Sequence, residues 1–185
     1  LKNPFDSIFI PLDKFEGDLL KRIAEKRNKP LDIIFKVLTY SGTLPAWTTI
    51  ALLLFYCNYI GVEIIPMQQL TIHFLMISFV IWIVGTASKF IFQRKRPYQN
   101  SELNIVEEPL LIKPRAGSFP STHAVVVFSI TTFFFLSGHP FFLPALIWAS
   151  LVSLSRPYLQ VHYPSDIIGG IIFAVGSVII YWYFL

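Results

Sequence analysis

The chain has 185 residues, of which 54% are hydrophobic and 14% charged, and its mean hydropathy is +0.60; a soluble domain carries about 25% charged residues. That balance excludes an ordinary soluble enzyme, and a formal charge of +4 with no long basic run gives no reason to expect a nucleic-acid partner. Cys57 is the only cysteine and lies inside an apolar block, which excludes an intrachain disulfide and a cysteine-based metal site.

Residues 1–30 mix charged and apolar side chains without the short apolar core of a signal peptide. Within them, Phe15, Leu19, Leu20 and Ile23 recur at helical spacing beside Lys14, Lys21, Arg22, Lys26 and Arg27. This predicts an amphipathic helix over Phe15–Lys29, lying on a bilayer surface or packed on the rest of the protein.

Five apolar blocks follow. The first, Ile33 to Ile60, is interrupted by Ser41, Gly42 and Pro45, where a kink or an early turn is expected. The second, Leu70 to Phe92, has Lys89 as its only Asp, Glu, Lys or Arg, and the fifth, Ile167 to Leu185, has none. Each approaches the roughly 20 residues that cross a hydrocarbon layer. A polar stretch with four prolines, Gln93–Pro120, gives no regular pattern. The third and fourth blocks, Ser121–Ser137 and Phe141–Leu159, are short and joined by Gly138, His139 and Pro140, the pattern of a tight helical hairpin. In the fifth, Gly170 and Ala174 stand four apart, a spacing for close helix packing. The fold class expected is therefore an all-α integral membrane bundle. It has about five transmembrane helices in residues 31–185 and an interfacial amphipathic segment in residues 1–30.

Alternate crossings put the chain start, the polar loop and the loop before the fifth block on one side. The opposite loops, Gly61–Gln69 and Ser137–Pro140, hold Glu63 and His139 but no Lys or Arg.

Three clusters stand on the basic side. Lys89 is followed seven residues later by Arg96 and then Pro97. On a continuing helix that spacing puts both cations on one face, and Pro97 biases Arg96 away from helix; a lone lysine there can equally snorkel to the headgroups. Next come Pro120, Ser121, Thr122 and His123 at the start of the third block. Free amides at a helix start favour phosphate, although Ser121 could simply cap the helix. The third cluster is Ser155, Arg156, His162 and Asp166. Arg156 supplies a planar donor fork, and Asp166, just after Pro164, can take the proton on one imidazole nitrogen of His162 and leave the other free to attack. A hydrogen-bonded structural pair is the competing reading. Three cations, one helix start, two histidines and one carboxylate on one side of a charge-poor chain suit a phosphoryl group. His73 and His139 fit no cluster, and Lys113 and Arg115 read as solvated loop or headgroup contacts.

These clusters resemble the three signature motifs of the type 2 phosphatidic acid phosphatase superfamily, which also contains vanadium haloperoxidases and bacterial acid phosphatases. The first and third match at every specified position. The second usually reads Pro-Ser-Gly-His, and Thr122 stands where that glycine would be. The resemblance implies that His162 attacks phosphorus, Asp166 orients it, and His123 protonates the leaving oxygen and then activates water. It implies that Lys89, Arg96, Arg156, Ser121 and the amide of Thr122 hold the phosphoryl oxygens, with no metal and no cofactor.

The expected activity is hydrolysis of a lipid phosphomonoester through a phosphohistidine. Lipid A 1-phosphate ranks first; phosphatidylglycerol phosphate, phosphatidic acid and undecaprenyl diphosphate follow. Halide oxidation leaves the membrane blocks unexplained, and a non-catalytic phospholipid-binding or transport protein leaves His162, His123 and Asp166 unexplained. The partners implied are the lipid phosphate and the bilayer, with no obligatory protein partner. The location implied is a bacterial inner membrane with the site on the periplasmic side, against which the excess of Lys and Arg on that side argues.

Overall fold

A computed structural model describes residues 4–61, 83–103 and 117–184. Its helices are α1 (Asp6–Glu25), α2 (Lys29–Ser41), α3 (Leu44–Tyr59), α4 (residues 83–92), α5 (Thr122–Leu136), α6 (Phe142–Tyr158) and α7 (Pro164–Phe184). Two 3₁₀ turns, Pro97–Gln99 and Ser101–Leu103, follow α4, and no strand occurs among the described residues. His73, Glu63, Lys113, Arg115 and the first part of the second apolar block lie outside them.

Local chemistry sets the helix boundaries. Asn28 caps α2 by accepting from the Leu31 amide at 3.1 Å. Ser121 caps α5 through the Ala124 amide at 3.5 Å. The α5–α6 hairpin turns at Gly138, whose φ of +63° is open to glycine, with the His139 amide donating back to Phe134 at 2.9 Å. The expected kink is a full break: α2 and α3 meet at 58°. Ser41 braces it, because its carbonyl accepts from the Trp47 indole at 2.8 Å and its hydroxyl from the Trp148 indole at 3.0 Å.

Of the apolar blocks, α7 is long and apolar enough to cross a bilayer as one helix, and α2 with α3 meets that test as a bent pair; α5 is shorter. Large apolar side chains point outward from α3, α6 and α7, among them Leu52, Phe55, Ile147, Ile172 and Ile180. Such surface is costly in water and natural in lipid. Hydroxyls inside the apolar helices return to their own backbone, as Ser129 does to Val125 at 2.7 Å and Thr131 to Val127 at 2.9 Å.

Helix α1 differs from its expected bounds. It starts at Asp6, not Phe15, and runs through Pro11 to Glu25, so Lys29 opens α2. Packing overrides the proline: Phe9 is buried, with its ring 5.6 Å from Phe119 and 6.3 Å from Phe92. The apolar stripe is also divided. Leu20 is fully buried with Leu103 and Tyr163, whereas Phe15 is 81% exposed.

At the centre, α5 packs between α6 and α7. Val127, Ala149 and Val152 fill one side, and Val125, Phe133 and Val178 the other. Gly170 permits the close approach that its spacing with Ala174 announced: a Cβ there would lie 2.8 Å from the Ser121 carbonyl and 2.9 Å from the Ala124 Cβ. Gly170→Ala must therefore push the start of α5 away from α7. The expected cost is about 1–3 kcal/mol of stability, read as lower thermal stability in detergent, together with reduced turnover.

Candidate active site

The site residues come together from the last turns of α4 and α6, the first turns of α5 and α7, and the segments that follow α4 and α6. The polar groups thus sit at helix ends or in the segments beside them, and the apolar bodies carry no charge through the core. Lys89, Arg96, Ser121, Arg156, His162 and Asp166 are all buried, none more than 6% exposed. Groups so placed are costly to hold without a partner or a ligand.

His162 lies in the turn between α6 and α7, one turn ahead of Asp166. Its Nδ1 is 3.3 Å from Asp166 Oδ2, and its Nε2 is 3.2 Å from Arg96 Nη1. A guanidinium can only donate, so Nε2 faces it with a lone pair and the ring proton sits on Nδ1, toward the carboxylate. Burial, and then the charges of Arg96, Arg156 and Lys89, push the His162 imidazole well below its ordinary pKa. The ring is held neutral, with its free nitrogen toward a cation.

Lys89 and Arg96 do converge, though not by the continuing helix. The helix ends at residue 92, Gln93 takes φ +46°, and Arg96 is extended, as its proline neighbour requires. The chain folds back so that Lys89 Nζ and Arg96 Nη2 donate to one acceptor, the Gly117 carbonyl, at 3.1 and 3.2 Å. Arg96 Nη1 also donates to the Val161 carbonyl at 2.8 Å. From α6, Arg156 donates to Thr39, whose hydroxyl also accepts from Ser155 at 2.9 Å. Arg156 Nε, buried, has no hydrogen-bond partner among the described residues.

His123 stands in the first turn of α5, and the groups acting electrostatically on it are Arg156, His162, Lys89 and Arg96. Thr122 opens α5 with its methyl toward α4, where a Cβ on Gly85 would meet it at 3.5 Å. That is ordinary van der Waals distance, so the threonine methyl packs against α4 without crowding it. The amide of Ser121 donates to the Asp166 carbonyl at 3.0 Å, tying the second cluster to the third.

Several site residues escape sequence reasoning. Ser118 donates to Asp166 Oδ2 and lies 3.5 Å from His162 Nδ1. The Tyr163 amide donates to the same oxygen at 2.9 Å. Arg94 reaches the other carboxylate oxygen, Oδ1, at 2.6 Å. Burial opposes its charge, but Asp166 and Asp13 hold its guanidinium above the usual range. The one available signal for Arg94 was its place in the run Arg94-Lys95-Arg96, which reads equally as a solvated basic loop. His139 lies in the α5–α6 hairpin, at the other end of α5 from the site, stacked on Phe134 at 4.8 Å.

Comparison with known proteins finds relatives of the chain in sequence and in fold. The model of the PAP2 superfamily matches residues 69–185. An undecaprenyl-diphosphatase of Sulfolobus acidocaldarius is 33% identical in an alignment 165 positions long that covers 82% of this chain and 77% of the relative. The crystal structure of a transmembrane PAP2-type phosphatidylglycerolphosphate phosphatase from Bacillus subtilis superposes with a TM-score of 0.74 at 20% identity, covering 94% of this chain and 86% of that one. That of Aquifex aeolicus LpxE gives 0.66 at 23% identity, covering 90% and 94%.

Proposed function

The chain belongs to the PAP2 superfamily and is a membrane phosphatase, and from that premise we propose that it removes a terminal phosphoryl group from a lipid through a covalent intermediate on His162. The observation that carries this is the His162 ring itself, with Nδ1 on Asp166 and Nε2 on the Arg96 guanidinium. A phosphoryl group entering beside Arg96 meets a nitrogen lone pair on its path.

In this reading Nε2 attacks phosphorus as the bond to the lipid oxygen breaks, and His123 gives that oxygen its proton. His123 then takes a proton from water, whose oxygen attacks phosphorus, breaks the P–N bond and releases phosphate. Lys89, Arg96 and Arg156 hold the three phosphoryl oxygens, with the Arg156 Nε awaiting an acceptor. The hydroxyl of Ser121 and the amide of Thr122 complete the cradle at the start of α5. Three fixed cations meet the charge that phosphoryl transfer concentrates on those oxygens.

Among the candidate lipids, a polyprenyl diphosphate takes precedence over lipid A 1-phosphate. The relative named for the former activity is 33% identical, whereas the likeness to LpxE, at 23%, speaks for the fold alone. We place the site on the outer face of the cytoplasmic membrane, which a reporter fused after Leu185 would test by the side it occupies.

The deciding experiment measures phosphate release by purified protein in detergent with EDTA. The substrates are undecaprenyl diphosphate, phosphatidylglycerol phosphate, phosphatidic acid and lipid A. Fastest release from the diphosphate, inhibited by vanadate, is the expected result. Release from none of them, or loss of turnover in EDTA, refutes the reading.

A further inference from the structure

Helix α1 has no place in the chemistry above, yet it reaches the catalytic pair through one buried cation. Arg94 is 2% exposed and stands against three carboxylates. Its Nη1 donates to Asp166 Oδ1 at 2.6 Å and to the Ser165 hydroxyl at 2.7 Å. Its Nη2 donates to Asp13 at 2.6 Å and to Glu16 at 2.9 Å, and its Nε to Asp13 at 2.9 Å. The guanidinium lies over the Tyr163 ring at 4.2 Å and the Phe9 ring at 4.8 Å. Glu16 closes the loop by accepting from the amide and the hydroxyl of Ser165, at 2.6 and 2.7 Å, in the first turn of α7.

The division of labour on Asp166 is specific. Oδ2 takes His162, Ser118 and the Tyr163 amide, while Oδ1 takes Arg94. A carboxylate anchored at both oxygens cannot rotate, so the oxygen facing His162 is fixed. Without Arg94 one oxygen would be buried with no charged donor, and Asp13 and Glu16 would face Asp166 uncompensated. Resting on the reading of His162 as nucleophile, we propose that Arg94 is a positioning residue for phosphoryl transfer, fixing Asp166 against His162, and that Asp13 and Glu16 of α1 hold Arg94 in place. The N-terminal helix is then part of the catalytic apparatus, not only a contact with the lipid surface.

The groups that set the charge around His162 are Lys89 from α4, Arg96 from the following loop, His123 from α5, Arg156 from α6 and Asp166 from α7. Asp13 and Glu16 of α1 act behind Arg94. Arg94 offsets Asp166, so removing its charge makes protonation of His162 easier. Arg94→Gln should therefore lower kcat by roughly ten- to a hundredfold, as a misplaced catalytic group does, with KM within about threefold. It should also move the acid limb of kcat/KM upward by about one pH unit. Arg94→Lys, which keeps the charge without the fork, should leave the limb in place and recover only part of kcat. The double variant Asp13→Asn with Glu16→Gln should lose kcat as well, without a change in KM.

Wild-type kcat and an unmoved limb in Arg94→Gln overturn the proposal, as does a tenfold rise in KM at unchanged kcat, which would make Arg94 a phosphate ligand. Should Arg94→Gln fail to fold, wild-type kcat in both Arg94→Lys and the α1 double variant overturns it. His162→Ala assayed in parallel separates the two readings. If it is inactive while the Arg94 variants behave as wild type, only the role of Arg94 falls; if it turns over, the nucleophile itself is wrong.

Discussion

His162→Ala is expected to lower phosphate release by on the order of 10⁵-fold, the scale on which removal of a nucleophile acts. The cradle of Lys89, Arg96 and Arg156 remains in that variant, so substrate and vanadate should still bind and KM should change little. Brief reaction of the unmutated protein with labelled lipid, stopped in alkali, should leave label on the protein, stable to base and released by acid as a P–N bond is. The same quench of His162→Ala should leave none. Label that persists in the variant would move the nucleophile elsewhere.

The pH dependence follows from the same geometry. Burial, and then Arg96, Arg156 and Lys89, hold the ring below the usual histidine pKa of about 6.5. The acid limb of kcat/KM should therefore lie below pH 6.5 in the free enzyme. In the unfolded chain the ring titrates normally and binds more protons than the folded one below that pH. Its contribution to stability is thus complete above pH 6.5 and falls as the pH drops toward the folded value.

The gathering of polar residues in one place was legible in the sequence because an apolar bundle leaves few places for charge. Lys89, Arg96, Ser121, Arg156, His162 and Asp166 stand out against blocks with none, and each lies at or beside a helix end. What was legible less well is how they meet. The seven-residue spacing of Lys89 and Arg96 suggested one helical face, whereas the chain leaves the helix at Gln93 and the shared acceptor is the Gly117 carbonyl. Their grouping came from the motif, their geometry from the turn. Helix α1 was visible as an amphipathic pattern but not its reach past Pro11, which rests on aromatic packing of Phe9 with residues far along the chain.

Arg94 and Thr39 were illegible for a common reason. Arg94 meets Glu16 and Asp13 across 78 and 81 residues, and Thr39 meets Arg156 across 117. Periodicity reports which face of a helix is buried, not which distant polar group will lie opposite it. Such pairings exist only once the helices have packed.

Arg96 is the cation whose loss should cost most after the nucleophile. It lies against the nitrogen proposed to attack, with Nη1 at 3.2 Å from His162 Nε2, and is 2% exposed. Arg96→Met should reduce kcat/KM by roughly 10³-fold, the scale of removing an oxyanion donor, and weaken vanadate inhibition by a similar factor. Arg96→Lys should also be impaired, by roughly a hundredfold, since one ammonium cannot serve the Gly117 and Val161 carbonyls and a phosphoryl oxygen as a planar fork does. Among the charges acting on His162, Arg96 comes first after burial. Its loss should therefore raise the acid limb, and Arg96→Lys should restore most of that shift while restoring little of the rate. Methionine removes the Arg96 donor from the buried Val161 carbonyl, while the Gly117 carbonyl keeps Lys89, so each variant is compared by thermal unfolding in detergent before its rate is read. A folded Arg96→Met protein with unimpaired vanadate inhibition would show that the oxyanion is held elsewhere, and would take with it the argument that His162 attacks a phosphoryl group bound beside this guanidinium.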